Sequence, residues 1–266
     1  MNTGLHAGLP PLKSRRLTLA TDLDGTFLGG TDSDRAELYG WIEDNRDSIG
    51  LIFVTGRDPE FILRMCSHEG LPWPDLVVGD VGTTIARVDR EEQRVEPIAA
   101  LEADISRRWG DSGMAVRDAL QGHPGLTLQP TPFRYRVSYD LDPAKFDPRA
   151  VAMVEEMGLD SLISDNRFFD VLPRGVSKGP SLRRLVEHLA IPEERVLAAG
   201  DTLNDLSMLI CGLKAVAVGN SEARLLEEIA GSTTIHKARA HGAAGIMEAI
   251  AAFELHDIPE RRTHAL

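Results

Sequence analysis

Asp22 and Asp24 stand two residues apart in the stretch A-T-D-L-D-G-T at positions 20–26, directly after the apolar run Leu17-Thr18-Leu19-Ala20. Folding alone would end a buried strand with valine or serine. Three further stretches carry polar residues at a predicted strand end: Val54-Thr55-Gly56-Arg57, Gly79-Asp80-Val81-Gly82-Thr83 and Gly200-Asp201-Thr202-Leu203-Asn204-Asp205. Lys178 adds a cation near a predicted helix start. Gathered at one rim, the carboxylates of Asp22, Asp24, Asp201 and Asp205 would repel one another unless a cation lay among them. Hard oxygen ligands with few nitrogens or sulfurs select Mg²⁺. Each residue also has a plainer structural reading. Asn204 and Asp205 could cap the helix that starts there, Thr55 could satisfy local backbone, and Lys178 could be solvated. The 79–83 stretch lacks the GxGxxG spacing of a nucleotide loop.

The surrounding pattern says how such residues could meet. Residues 17–22, 51–54 and 75–79 read as short buried strands, with helical patterns over 33–45 and from Asp58-Pro59 to Gly70. From about Pro173 the alternation resumes: a helix capped by Ser177 and running to about residue 189, then strands at 196–199 and 214–218. Short buried strands alternating with helices predict an α/β fold, a doubly wound parallel sheet. Ligands of such sheets bind beyond the carboxyl ends of the strands. The middle is different. Phe133, Tyr135, Val137, Tyr139 and Leu141 alternate with Arg134, Arg136, Ser138, Asp140 and Asp142, as on an antiparallel strand with one polar face. Asp147-Pro148 opens a helix closed by Gly158, and Pro and Gly mark turns over 122–132. The reading is a discontinuous core, 15–85 and 173–255, with a smaller α+β domain inserted at 86–172. The first fifteen residues and the last ten or so read as loose ends.

Bulk composition narrows the partners. A formal charge of −12 in 266 residues argues against wrapping nucleic acid or lying on an anionic membrane. Two cysteines, Cys66 and Cys211, give no disulfide framework and fit a reducing cytoplasm. The opening residues lack the apolar segment of a secretory signal, and no stretch of about 18 apolar residues predicts a membrane span. The histidines show no ligand spacing.

Taken in order, these motifs resemble those of the haloacid dehalogenase (HAD) superfamily of phosphohydrolases. D-L-D-G-T looks like its first motif, V-T-G-R its second, Lys178 in R-G-V-S-K-G its third and G-D-T-L-N-D its fourth. The resemblance covers the core on both sides of the insert and implies a Rossmann-like core under a cap. It implies Asp22 as nucleophile, forming an aspartyl-phosphate, and Asp24 as the acid for the leaving alkoxide and then the base for water. That role asks for an Asp24 pKa raised by neighbouring carboxylates. Mg²⁺ would be held by Asp22, the Asp24 backbone carbonyl and Asp201, with Asp205 close by or acting through water. Thr55 and the Gly56 amide would bind phosphate oxygens, Lys178 would balance their charge, and Asn204 could orient Lys178. Gly25 would let backbone approach phosphate.

The insert, ending F-F-D-V-L-P-R-G-V-S-K-G, resembles a C2B-type cap. V-T-G-R with L-P-W-P-D-L-V-V-G-D-V-G-T is most similar to the sucrose-phosphate phosphatase branch, which includes relatives acting on mannosylfructose phosphate. The resemblance therefore implies a phosphatase of a sugar or disaccharide phosphate, working as a monomer or homodimer. A phosphosugar mutase and a catalytically silent sugar-phosphate-binding module are the alternatives. Arg57, Asp80, Arg134, Arg136, Asn166 and Arg167 are candidate substrate contacts. The Arg134/Arg136/Ser138/Asp140 face could equally be a solvated outer surface of the cap sheet.

Overall fold

The computed structural model describes residues 8–131 and 133–259. Strand β1 (Leu17–Thr21) shows how the core is built: Leu17 and Leu19 enter one apolar layer and Ala20 the other. The chain continues through α1 (Asp32–Asp44), β2 (Ile49–Val54), α2 (Pro59–Glu69) and β3 (Leu76–Gly79). It then runs through β4 (Thr84–Asp89), β5 (Arg94–Pro97), α3 (Ala99–Trp109) and α4 (Gly113–Ala119). The inserted sheet follows, with β6 (Leu126–Leu128), β7 (Val137–Leu141), α5 (Arg149–Glu156), β8 (Asp160–Ser164) and β9 (Phe168–Leu172). The chain returns with α6 (Lys178–His188), β10 (Val196–Gly200), α7 (Leu206–Leu209), β11 (Lys214–Ala217), α8 (Ala223–Glu228), β12 (Ile235–Lys237) and α9 (Gly242–Ala252).

The main sheet has the order β12-β11-β10-β1-β2-β3-β4-β5, parallel from β12 to β3 and antiparallel beyond it. Buried on both faces, its parallel strands are nearly all apolar, and the fold is the expected doubly wound α/β type. Helices α1, α2 and α9 cover one face around Phe53, Trp41 and Ile246. Helices α3, α6, α7 and α8 cover the other around Ile52, Leu182 and Met208. Chain order reverses at β1, flanked by β2 and by β10, and the crevice of such a sheet opens above that point. Asp22 is the first residue past it.

Local chemistry sets the helix ends. Asp58 accepts the Phe61 amide at 2.8 Å, with Pro59 in the first turn and Gly70 left-handed at the close of α2. Ser177 occupies the cap position of α6 as anticipated, but its side chain accepts no helix amide and lies 3.4 Å from the Ser207 hydroxyl.

The second sheet, β6-β7-β9-β8, is antiparallel. One face packs on α4 and α5 through Val137, Tyr139, Phe169, Val116 and Val154. The other carries Ser138 and Asp170, paired across β7 and β9. The strand read over 133–141 is shorter, because Arg136 is drawn across to the core and only 137–141 joins the ladder. The turn-rich stretch 122–132 includes β6, and its Pro132 lies outside the described residues.

The main sheet also runs on through β4 and β5 to Pro97, past the boundary anticipated at residue 85. Antiparallel pairing lets the chain leave the core along its own sheet edge. Helix α3 then spans both bodies, with Leu101 and Ile105 in the core and Trp109 in the insert. The start of the chain is less loose than its composition suggests. Residues 1–7 lie outside the described range, but Arg15 is buried, donating to the Ile49 carbonyl at 2.9 Å and pairing with buried Asp75 at 3.0 Å. Near the other end Asp257 pairs with Arg16, and residues 260–266 lie outside the described range.

Candidate active site

The carboxyl ends of β1 and β10 bring three acids together. A carboxylate oxygen from each of Asp22, Asp201 and Asp205 lies within 4.8 Å of the others, and all three residues are buried. The Lys178 ammonium, 1% exposed, donates to Asp22 Oδ1 at 2.6 Å, Asp205 Oδ1 at 2.6 Å and Asn204 Oδ1 at 3.0 Å. Its burial excludes the solvated reading of Lys178. Asn204 thus stands beside that ammonium, within reach of the orienting role expected of it.

Asp201 is held by the loop after β1, and Asp205 by its own loop. Thr26 donates to Asp201 Oδ1 at 2.7 Å. Asp205 Oδ2 accepts the amides of Asp201 and Thr202, both at 3.1 Å, in a capping box, while its Oδ1 meets Lys178. Asp205 is therefore cap and site residue at once, with both oxygens engaged. Gly25 has φ +80, and a Cβ there would lie 2.1 Å from Asp201 Oδ2. The glycine makes room for the Asp201 carboxylate, where an approach of backbone to phosphate was the sequence reading.

One ammonium cannot neutralise three carboxylates in a buried rim. Burial pushes the Asp22 carboxyl up to about 8, with Asp205 adding to the rise and the Lys178 ammonium opposing it. Burial likewise pushes Asp201 up to about 7, against the Thr26 hydrogen bond. Burial would depress Lys178, but Asp205 and Asp22 outweigh it and hold the ammonium above its usual range. A buried all-oxygen set of three carboxylates with one ammonium among them fits a hard divalent cation.

Above this rim opens a cleft of about 480 Å³ between the two bodies. Asp22, Asp24, Thr55, Gly56, Arg57 and Asn204 line it from the core, and Arg136, Ser164, Asp165 and Asp170 from the insert. Thr55 is buried, and its Oγ1 accepts the Arg57 amide at 3.2 Å. The local backbone role and a place at the cleft therefore coexist.

Several candidates stand elsewhere than the sequence suggested. The Asp24 side chain is not in the acidic cluster. Its side chain, 59% exposed, is held bidentately by Arg57, with both bonds at 2.8 Å. Its neighbour is thus a guanidinium rather than the carboxylates anticipated: Asp24 has an extended backbone in the turn after β1, and its side chain meets Arg57 from the loop after β2. Asp80 does not line the cleft. It sits behind it, accepting from Thr84 at 2.6 Å, and burial raises its carboxyl. Arg134 turns away to Glu102 and Thr84. Asn166 and Arg167 are exposed and line no part of the cleft. Asp165 and Asn166 are both left-handed, which rolls the β8–β9 hairpin so that Ser164, Asp165 and Phe168 face inward instead. The Arg134–Asp140 face splits: Arg136 and Ser138 are buried at the interface, and Asp140 is exposed, bonded to Gln129.

Asp170 was missed. It accepts from Ser138 and from Arg136 NH1, the latter at 3.1 Å, and burial raises its carboxyl against the Arg136 charge. A lone acid in the apolar run F-F-D-V-L was the available signal, the same kind that marked Asp22. Phe61, Phe133 and Phe168, which give the cleft its apolar walls, carried no signal of their own.

The sequence pattern of the sucrose-6F-phosphate phosphohydrolase family matches residues 15–254. Among curated proteins, the glucosylglycerol-phosphate synthase of Pseudomonas anguilliseptica is 40% identical over 239 residues, 89% of this chain and 31% of that protein. The chain thus spans about a third of that relative's length. The mannosylfructose-phosphate phosphatase of Agrobacterium fabrum is 27% identical, over 90% of this chain and 97% of that one. A solved sucrose-phosphatase from Synechocystis, in complex with sucrose and phosphate, superposes with a TM-score of 0.81 at 26% identity. That superposition covers 90% of this chain and 98% of the other.

Proposed function

The chain belongs to the sucrose-6F-phosphate phosphohydrolase family, of haloacid dehalogenase fold, and from that premise we propose that it is a Mg²⁺-dependent phosphatase of a sugar or disaccharide phosphate. The observation that carries this reading is the buried set of Asp22, Asp201 and Asp205 around Lys178, on the floor of a cleft closed by the inserted domain.

In this reading Asp22 attacks phosphorus in line. A bond forms from its carboxylate oxygen to phosphorus as the ester P–O bond breaks, and the leaving alkoxide takes a proton from Asp24. Water then attacks the aspartyl-phosphate, Asp24 takes up the water's proton, and inorganic phosphate leaves with Asp22 restored. Asp24, exposed enough to exchange protons with solvent, acts as the acid once it has left the Arg57 guanidinium and been protonated. The Thr55 hydroxyl and the Gly56 amide hold phosphate oxygens, and Lys178 offsets charge on Asp22 and the phosphoryl group. Asp22, Asp201 and the Asp24 carbonyl would hold the ion, with Asp205 shaping the loop behind it. A bound Mg²⁺ screens Asp22 from a dianionic phosphate and stabilises charge developing at phosphorus.

A glycosyl leaving group is supported by the cleft's size, which suits a ligand of two rings, and by its mix of phenylalanine walls and hydroxyl-bonding groups. The names of two relatives, on mannosylfructose phosphate and on sucrose phosphate, point the same way. Two free cysteines accord with a reducing cytoplasm.

The test is a phosphate-release screen across glycosyl phosphates with Mg²⁺ and with chelator, alongside Asp22→Asn. The variant should lose on the order of 10³-fold or more in turnover and form no phosphoenzyme. A preference for nucleotides, indifference to chelator, or an active Asp22→Asn would overturn the reading.

A further inference from the structure

Arg136 belongs to the inserted domain, yet its guanidinium serves the core. Lying just before β7 and 6% exposed, it donates through one terminal nitrogen to the Gly56 carbonyl at 3.2 Å and approaches Asp80 at 3.5 Å. Its other terminal nitrogen donates to Asp170 at 3.1 Å, and the guanidinium carbon lies 3.6 Å from the centre of the Phe133 ring. One side chain thereby ties the inserted sheet to the loop between β2 and α2.

The acceptor on that loop matters. The Gly56–Arg57 peptide is held at both ends: its carbonyl by Arg136, its N–H by Thr55 Oγ1 at 3.2 Å. With that lone pair occupied, the Thr55 hydroxyl keeps its own proton for an acceptor in the cleft. The same peptide carries Arg57, whose guanidinium grips Asp24. The orientation of one peptide plane therefore governs a phosphate donor and the position from which Asp24 starts.

Stability does not account for the residue. Its buried Nε has no hydrogen-bond partner among the described residues, so not all of its donors are used in holding the fold. Buried ion pairs such as Arg136–Asp170 add little stability on balance.

We propose that Arg136 is a positioning residue for the phosphate-binding loop, supplied by the cap: seated between Asp170 and Gly56, it fixes the Gly56–Arg57 peptide and so sets the Thr55 hydroxyl. The loop is fully formed only while the cap rests on the core. This rests on the phosphatase reading above and adds to it that the cap completes the catalytic loop as well as enclosing the substrate.

The full chain is compared with Arg136→Ala and Arg136→Lys on the best-hydrolysed glycosyl phosphate and on p-nitrophenyl phosphate, whose leaving group needs no cap contact. Inorganic phosphate, as competitive inhibitor, reads the loop directly. Arg136→Ala should lower kcat on both substrates by about 10- to 100-fold and weaken phosphate inhibition, the scale of a misplaced catalytic group. Added guanidinium ion should restore part of that loss. Arg136→Lys should fall between, since one ammonium cannot serve Gly56 and Asp170 with a guanidinium's fixed fork. A variant that raises KM for the glycosyl phosphate alone, with kcat, phosphate inhibition and p-nitrophenyl phosphate turnover unchanged, would make Arg136 a mere substrate contact and overturn the proposal. Should Arg136→Ala melt below the assay temperature, Arg136→Lys decides: wild-type kcat and phosphate inhibition overturn it. A wild-type chain that binds phosphate but hydrolyses no ester would instead overturn the phosphatase reading, and this proposal with it.

Discussion

Asp22 and Asp201 have carboxyl groups that burial lifts to about 8 and about 7, far above the range of an unfolded chain. The sign of the consequence follows from linkage. Between about pH 4 and these values the folded, ion-free protein binds protons that the unfolded chain has lost, so its stability declines as pH rises through that window. A divalent ion held by these acids, as proposed, would displace those protons, so its stabilising effect should grow over the same interval. Melting curves in chelator and in excess Mg²⁺ at pH 5 and pH 8.5 check this. The chelator curves should fall with pH and the gap between the two conditions should widen. Equal gaps at both pH values would show that the acids are not where the ion binds. Lys178 is the counterpart: with Asp22 and Asp205 both at 2.6 Å it remains an ammonium throughout, so proton uptake falls to the carboxylates.

Helix α6 presents Lys178 from its first residue, and what registers that helix is a short segment after β3. Asp80, Val81 and Gly82 are left-handed in succession, at φ 52, 59 and 98, a conformation that a β-branched residue such as Val81 adopts only under constraint. The constraint is visible: the Val81 amide donates to the Thr55 carbonyl at 3.1 Å, and the Asp80 amide to the Arg57 carbonyl at 3.0 Å. Gly82 abuts the start of α6, where a Cβ would sit 2.4 Å from the Ser177 carbonyl carbon, and Ser181 donates to the Gly82 carbonyl at 2.7 Å. Gly82→Ala should lower stability by about 1–2 kcal/mol from the left-handed backbone alone. By shifting the root of Lys178 it should cost turnover beyond what that loss explains. Phosphate release measured well below the melting temperature separates the two effects. Unchanged turnover would mean that α6 takes its position from elsewhere.

Across the whole molecule, what the sequence disclosed and what it concealed divide along the line between the two bodies. The core strands are buried on both faces, so their apolar runs and abrupt polar endings are written in consecutive residues. Asp22, Asp24, Asp201 and Asp205 could be grouped before any coordinates, and three of the four carboxylates do meet. The contacts of Arg136, Asp170 and Asp24 depend on how the inserted sheet sits over the core and on which way a turn rolls, and no local period encodes either. Hence Arg134, Asn166 and Arg167 looked as eligible as Arg136, and Asp165 escaped notice. Antiparallel pairing also hid the passage of β4 and β5 into the main sheet, because a charged edge strand such as Arg94-Val95-Glu96-Pro97 has no apolar run to mark it as core, and the sequence reading places it in the insert. The bonding of Asp205 has a last implication. Since that carboxylate is anchored by its own loop amides and by Lys178, a socket for the proposed ion would keep its outline without it, and refilling would be a matter of diffusion rather than of rebuilding. A sample stripped by chelator and returned to Mg²⁺ should recover full turnover as fast as the solutions mix. A slow recovery over minutes would reveal a rim that collapses.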